Sequence, residues 1–185
     1  NGVTYAATLS GTAWTLQIPT ALVDGAYTPV ITVTDPAGNS TTVNGTAFIV
    51  DTTAPVLPTI STVADDVTGG VVGNLTNGGV TNDVKPTLTG AAEAGSSVAI
   101  YDGTSATPIA TVTADPNGMW TYTPSINLAT GSHSFTVKAT DVAGNTTVAS
   151  DAFVIAVDTA IACPYICFGC RQFWWNWYYE RWHHQ

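Results

Sequence analysis

The chain of 185 residues carries 13 acidic and four basic side chains, a formal net charge of −9. Up to Ala160 the imbalance is sharper, with 12 acidic residues against Lys85 and Lys138 alone. That excludes a nucleic-acid binder, which needs Lys and Arg for the phosphates, and suits hard cations, which take carboxylate oxygens.

In chain order, short runs rich in Thr, Val and Ala alternate with Gly, Asn, Asp and Pro clusters, the pattern of an all-β protein. The chain opens in mid-strand, without a secretory signal, and reads as part of something longer. Strands are expected at 3–9, 13–18, 26–34 and 42–50, then at 57–62, 86–92, 97–101, 107–113, 119–123, 133–140 and 147–157. "AEAGSS", "YDGTSA", "ADPNG" and "TDVAGN" supply the tight turns between them. In "HSFTVKAT" the alternation puts Phe135, Val137 and Ala139 on one face. No apolar run approaches the roughly 20 residues of a membrane helix, so a membrane partner is not expected. No cysteine precedes Cys163, a composition that fits the bacterial exterior.

The two groups of strands are copies of one another. Trp14 lies over Trp120, Leu22 over Leu128, Gly25 over Gly131, Asp35 over Asp141 and Asn39 over Asn145, all at an offset of 106 residues. A repeat of that length is a whole domain. Residues 51–158 hold seven strands, which argues for a complete immunoglobulin-like β-sandwich. Residues 1–50 match only its C-terminal half. This partial copy is expected to be the weaker unit, with Trp14, Leu16, Ile18, Val30 and Phe48 partly buried and its sheet edges open to self-association.

Together "VDTTAPVLPTIS", "NGGVTND", "KPTLTGAAEAGSSVAIYDG", "ADPNGMWTYTPS" and "GSHSFTVKATDVAGNTT" resemble the bacterial Ig-like tandem repeats of giant type I-secreted adhesins and biofilm-associated surface proteins. The resemblance covers residues 1–160. It implies a stalk of sandwich domains on the bacterial cell surface, stiffened by calcium near the domain junctions, that carries a distant adhesive region to a host or matrix surface.

Sandwich topology then places the acids. At the junction of the two copies, Asp24 should approach Asp51, with Asp141 and Asn145 facing them and Glu93 and Asp115 nearby. The far pole gathers Asp65, Asp66, Asp83 and Asp158, with Asp102 close by. Calcium takes 6–8 mixed oxygen ligands, so either set is adequate, although neither EF-hand spacing nor the glycine-rich calcium nonapeptide is present. Each of these residues is equally at home closing a turn on its own backbone.

Catalytic constellations are missing from 1–160: there is no G-x-S-x-G, phosphate loop or metal-binding His pair. His133 reads as a solvated strand-start residue, and no enzyme is expected. Trp120 with Tyr101 and Tyr122 offers a sugar-stacking platform, but a Trp repeated at one site in both copies reads first as a core or hairpin anchor. The alternative to a spacer is therefore a module that itself binds a host or matrix carbohydrate or protein.

Residues 159–185 are unlike the rest. Cys163, Cys167, Cys170, His183 and His184 match no common zinc spacing, and "FWWNWYYERW" is short for a membrane anchor. Read one nucleotide later, every Trp codon gives glycine. The shifted frame can read "SPAPTISA…GG.G..NGGIT", comparable to "APVLPTIS" and "NGGVT" of the second copy. The tail is thus expected to be an out-of-frame start of a third repeat, which the coding DNA decides. Its aromatic residues are a second route to self-association.

Overall fold

The computed structural model describes residues 4–160 except Val71. The Cys/Trp-rich tail and its out-of-frame reading lie outside the described residues. All regular elements among the described residues are strands.

The first copy consists of three antiparallel pairs: β1 (Thr8–Ser10) with β2 (Ala13–Thr15), β3 (Gly25–Tyr27) with β6 (Phe48–Val50), and β4 (Val30–Thr34) with β5 (Ser40–Asn44). The expected strands 26–34 and 42–50 are each broken. Pro29 has no N–H to continue a ladder, and its carbonyl instead accepts the Gly45 amide at 2.8 Å. In the second copy Phe135 stands at the place of Pro29, and that strand runs unbroken. None of the described residues before Asp51 is buried. Trp14 is 50% exposed and Phe48 42%, so this half has strand pairs without a core.

The second copy has two packed sheets. One has the order β13 (Met119–Tyr122), β10 (Thr87–Ala91), β7 (Thr59–Asp65), β8 (Gly73–Asn74). The other runs β12 (Ala110–Thr113), β11 (Ser97–Asp102), β14 (Gly131–Thr140), β15 (Phe153–Val157), β9 (Gly79–Thr81). This is an immunoglobulin-like β-sandwich. Phe135, Val137 and Ala139 share one fully buried face as the alternation required, and Phe135 and Val137 join Val63, Leu88, Val98, Ile100 and Trp120 in one cluster between the sheets.

Three elements of the second copy depart from expectation, the first being β8, which pairs with the end of β7 where no strand was expected. Residues 147–152 do not extend the last strand. They run beside β14 on irregular bonds instead: the Thr147 amide donates to Ala139 O at 2.9 Å, and the Ser150 amide to Val137 O at 2.9 Å. β9 pairs in parallel with β15 (Ile155 with Gly79, Val157 with Thr81), which closes the sheet edge where the sequence showed only a loop.

The repeat holds in register as well as in sequence. Gly25 pairs with Val50 as Gly131 pairs with Val157, and Thr34 pairs with Ser40 as Thr140 bridges Thr146.

Candidate functional site

The acidic residues collect at the two poles of the sandwich. At the incoming pole, the loop Asp141–Asn145 closes on itself. Asp141 Oδ1 accepts the Asn145 amide at 2.8 Å and Oδ2 accepts Asn145 Nδ2 at 2.9 Å. Gly144 takes the positive φ (96°) that the turn requires. The loop at Asp35 and Asn39 repeats both bonds at 2.8 Å. The Asn145 side-chain amide, outweighing with the loop N–H groups the desolvation that opposes it, holds the Asp141 carboxyl below the ordinary value of 3.8. Its contribution to stability is therefore present above pH 3.8 and is lost as pH falls through the folded-state value.

Asp24 accepts the Thr52 amide at 3.1 Å, the Thr52 hydroxyl at 2.8 Å and the Thr53 hydroxyl at 2.9 Å. Asp51 Oδ1 accepts the Thr53 amide at 3.0 Å, and Asp51 O accepts Asn145 Nδ2 at 3.0 Å. The structure thus joins Asp24, Asp51, Asp141 and Asn145 into one hydrogen-bonded chain. Asp115 stays apart, closing its own turn on the amides of Asn117 and Met119.

The outgoing pole is drier. Asp65, Thr81 and Asp83 are 2%, 3% and 2% exposed. The Thr81 hydroxyl donates to Asp65 Oδ2 and accepts the Asp83 amide at 2.9 Å. Asp65 Oδ1 accepts the Val67 amide, and Asp83 Oδ1 the Lys85 amide. Lys85 sends its ammonium to Ser125 O at 2.9 Å. Two buried oxygens, Asp83 Oδ2 and Asn82 Oδ1, have no hydrogen-bond partner among the described residues. Buried charges ordinarily have a partner or a metal, so these two oxygens are open to a hard cation, while those of Asp65 and Thr81 are already engaged. The incoming set fits less well, because hydroxyl and amide donors already occupy both carboxylate oxygens of Asp24 and of Asp141. Asp66 is exposed, and Asp158 lies one step away, its amide on Thr81 O and its Oδ1 on the Ala160 amide. Among the described residues, no three His, Cys, Asp or Glu side chains converge as a metal-holding group.

His133 and Asp102 correct the sequence reading. His133 is 9% exposed rather than solvated, because it shares the inward face of Phe135 two residues on. Nδ1 lies 2.6 Å from Asp102 Oδ2, and Nε2 lies 2.8 Å from Ala129 O. Carboxylate and carbonyl oxygens only accept, so the protonated ring, with both nitrogens donating, is the form that satisfies both contacts. Desolvation opposes protonation, but the Ala129 carbonyl and the Asp102 carboxylate outweigh it, raising the pKa above 6.5. The resulting stability is complete below pH 6.5 and is lost as pH rises through the folded-state value. His133→Gln is expected to cost about 1.5–3 kcal/mol at pH 5 and less at pH 8. Melting curves at both pH values test this, and parallel pH profiles for the two proteins would refute it. The period-two alternation carried the signal for the buried ring.

The fold defines the class: an immunoglobulin-like sandwich, preceded by strand pairs that copy its second half. Residues 1–52 and 56–159 each match the model of the bacterial Ig-like domain, and the chain belongs to that family. No curated protein matches it.

Proposed function

We propose that the chain is a spacer of a large bacterial surface protein, carrying a distal adhesive region toward a host or matrix surface. The observation that supports this best is the duplication itself: two copies in tandem share their strand register and the same self-closing Asp/Asn loop. A spacer uses copies, whereas a receptor site needs one. Its immediate partners are neighbouring repeats, its place is the secreted cell-surface layer, and it performs no catalysis.

Calcium belongs to this reading as a stiffener of the repeat ends. Asp65 and Asp83, with Asn82 and Thr81, are the residues to hold it, with Asp66 and Asp158 within the same pole. Asp24, Asp51, Asp141 and Asn145 form the second candidate set. A bound cation supplies positive charge to the buried carboxylates, whose oxygens meet no Lys or Arg among the described residues.

EDTA is expected to lower the melting temperature of the second repeat by roughly 10 °C relative to calcium at a hundredfold excess over Kd. Asp83→Asn should flatten that response. An unchanged melting curve in EDTA removes calcium from the reading.

A second reading, direct binding, has one observation in its favour. Lys138 Nζ lies 5.5 Å from the ring of Tyr101, pairing a cation with an aromatic face. Saturable binding of a glycan by the chain, lost in Tyr101→Ala, would favour this reading over the spacer.

A further inference from the structure

A peptide group has two hydrogen-bonding faces, one N–H and one C=O, and in a surface linker both ordinarily go to water. The peptide between Asp51 and Thr52 differs. Its carbonyl, Asp51 O, accepts Asn145 Nδ2 at 3.0 Å from the second copy. Its N–H, on Thr52, donates to Asp24 Oδ1 at 3.1 Å in the first copy. We propose that this single peptide is the locking point of the repeat junction, gripped from both sides by Asn145 and Asp24.

The side groups reinforce the grip. Asp24 also accepts both linker hydroxyls, Thr52 Oγ1 at 2.8 Å and Thr53 Oγ1 at 2.9 Å. Asp51 Oδ1 accepts the Thr53 amide at 3.0 Å, which fixes the turn of the linker. Asn145 is itself held, since its other amide hydrogen goes to Asp141 Oδ2 at 2.9 Å. A primary amide has two N–H donors, so Asn145 closes its own loop with one and holds the linker with the other. Donation at one end of a peptide strengthens acceptance at the other, so the two contacts support each other.

The "DTT" linker and the last residue of the "DVAGN" loop therefore act together to set the angle between successive repeats. The second copy repeats the loop but not the acid. Thr130 stands at the place of Asp24, and among the described residues its hydroxyl meets that of Thr159, at 3.3 Å.

The importance of the lock rests on the spacer reading, but the lock is tested separately. Amide hydrogen exchange on the whole chain in EDTA should show Thr52 protected by about tenfold or more over its intrinsic rate. Asp24→Ala should return it to near that rate, and Asn145→Ala should speed it several-fold. Asn39→Ala removes the same loop closure in the first copy, away from the linker, and should leave Thr52 unchanged. Intrinsic exchange in the unsubstituted chain overturns the lock. So does protection that appears only with calcium, or protection that survives both Asp24→Ala and Asn145→Ala. A null result in the calcium melting test leaves the lock intact, and loss of the lock leaves the duplication that supports a spacer standing.

Discussion

Replacing Gly90 with alanine is expected to destabilise the second repeat by about 3 kcal/mol, lowering its melting temperature by roughly 10–20 °C. The reason is space rather than backbone freedom, since Gly90 has no positive φ. Gly90 lies in β10 between Trp120 on β13 and Ile60 on β7, at a bulge where the register slips between Thr89 and Gly90. A Cβ at this point would overlap both the Thr59 carbonyl oxygen and the Cζ2–Cε2 edge of the Trp120 indole. A side chain can turn away, but a strand carbonyl cannot move without breaking the ladder between β7 and β10. Adding Trp120→Leu relieves only the indole and should not restore stability. Urea denaturation of Gly90→Ala measures the loss, and a variant within about 0.5 kcal/mol of the unsubstituted chain would show that the bulge relaxes freely.

Gly90 also marks how far the sequence could be read. The glycine was visible inside a strand pattern, but its reason is a neighbour 30 residues away and a bulge on a third strand. Period-two alternation was a safer guide, and it placed Phe135, Val137 and Ala139 in the core correctly. The same rule, carried two residues back, would have buried His133, but a polar side chain at a strand start reads as solvated unless its partner is known. That partner, Asp102, comes from a different strand. β9 was illegible because Gly79, Val80 and Thr81 have no period of their own and pair with β15 only through the closed sandwich. In the first copy, Pro29 is the visible sign that the strand breaks, because a residue without an N–H cannot carry a ladder through its own position.

The poles show the same division. Seven strands in sandwich order fix which turns share an end, so Asp65 and Asp83 could be grouped without coordinates. What each carboxylate does there is a matter of ångströms. That Asp83 Oδ2 and Asn82 Oδ1 lie buried without donors follows from three-dimensional packing, including Gly70, where a Cβ would lie 3.0 Å from Asn82 Oδ1. That Asn145 reaches the linker carbonyl depends on the angle between the copies, which no local pattern records.

The two repeated tryptophans should give opposite results when truncated. Trp120→Ala is expected to cost about 3–5 kcal/mol, the range for removing a fully buried aromatic side chain from a close-packed core. Trp120 is 2% exposed and sits among Val63, Leu88 and Phe135, where the void left behind cannot refill with water. Its indole N–H has no acceptor among the described residues, so Trp120→Phe removes that orphan donor along with part of the ring and should lose less than alanine. Trp14 holds the equivalent place in the first copy but is 50% exposed, paired across a short hairpin with Leu9, itself 71% exposed. Trp14→Ala should therefore cost under about 1 kcal/mol, since little apolar surface leaves water there on folding. Far-ultraviolet circular dichroism during urea denaturation reads both changes without interference from the tail tryptophans. Equal losses at the two positions would mean that the first copy buries Trp14 in solution as the second buries Trp120, which would contradict a half without a core.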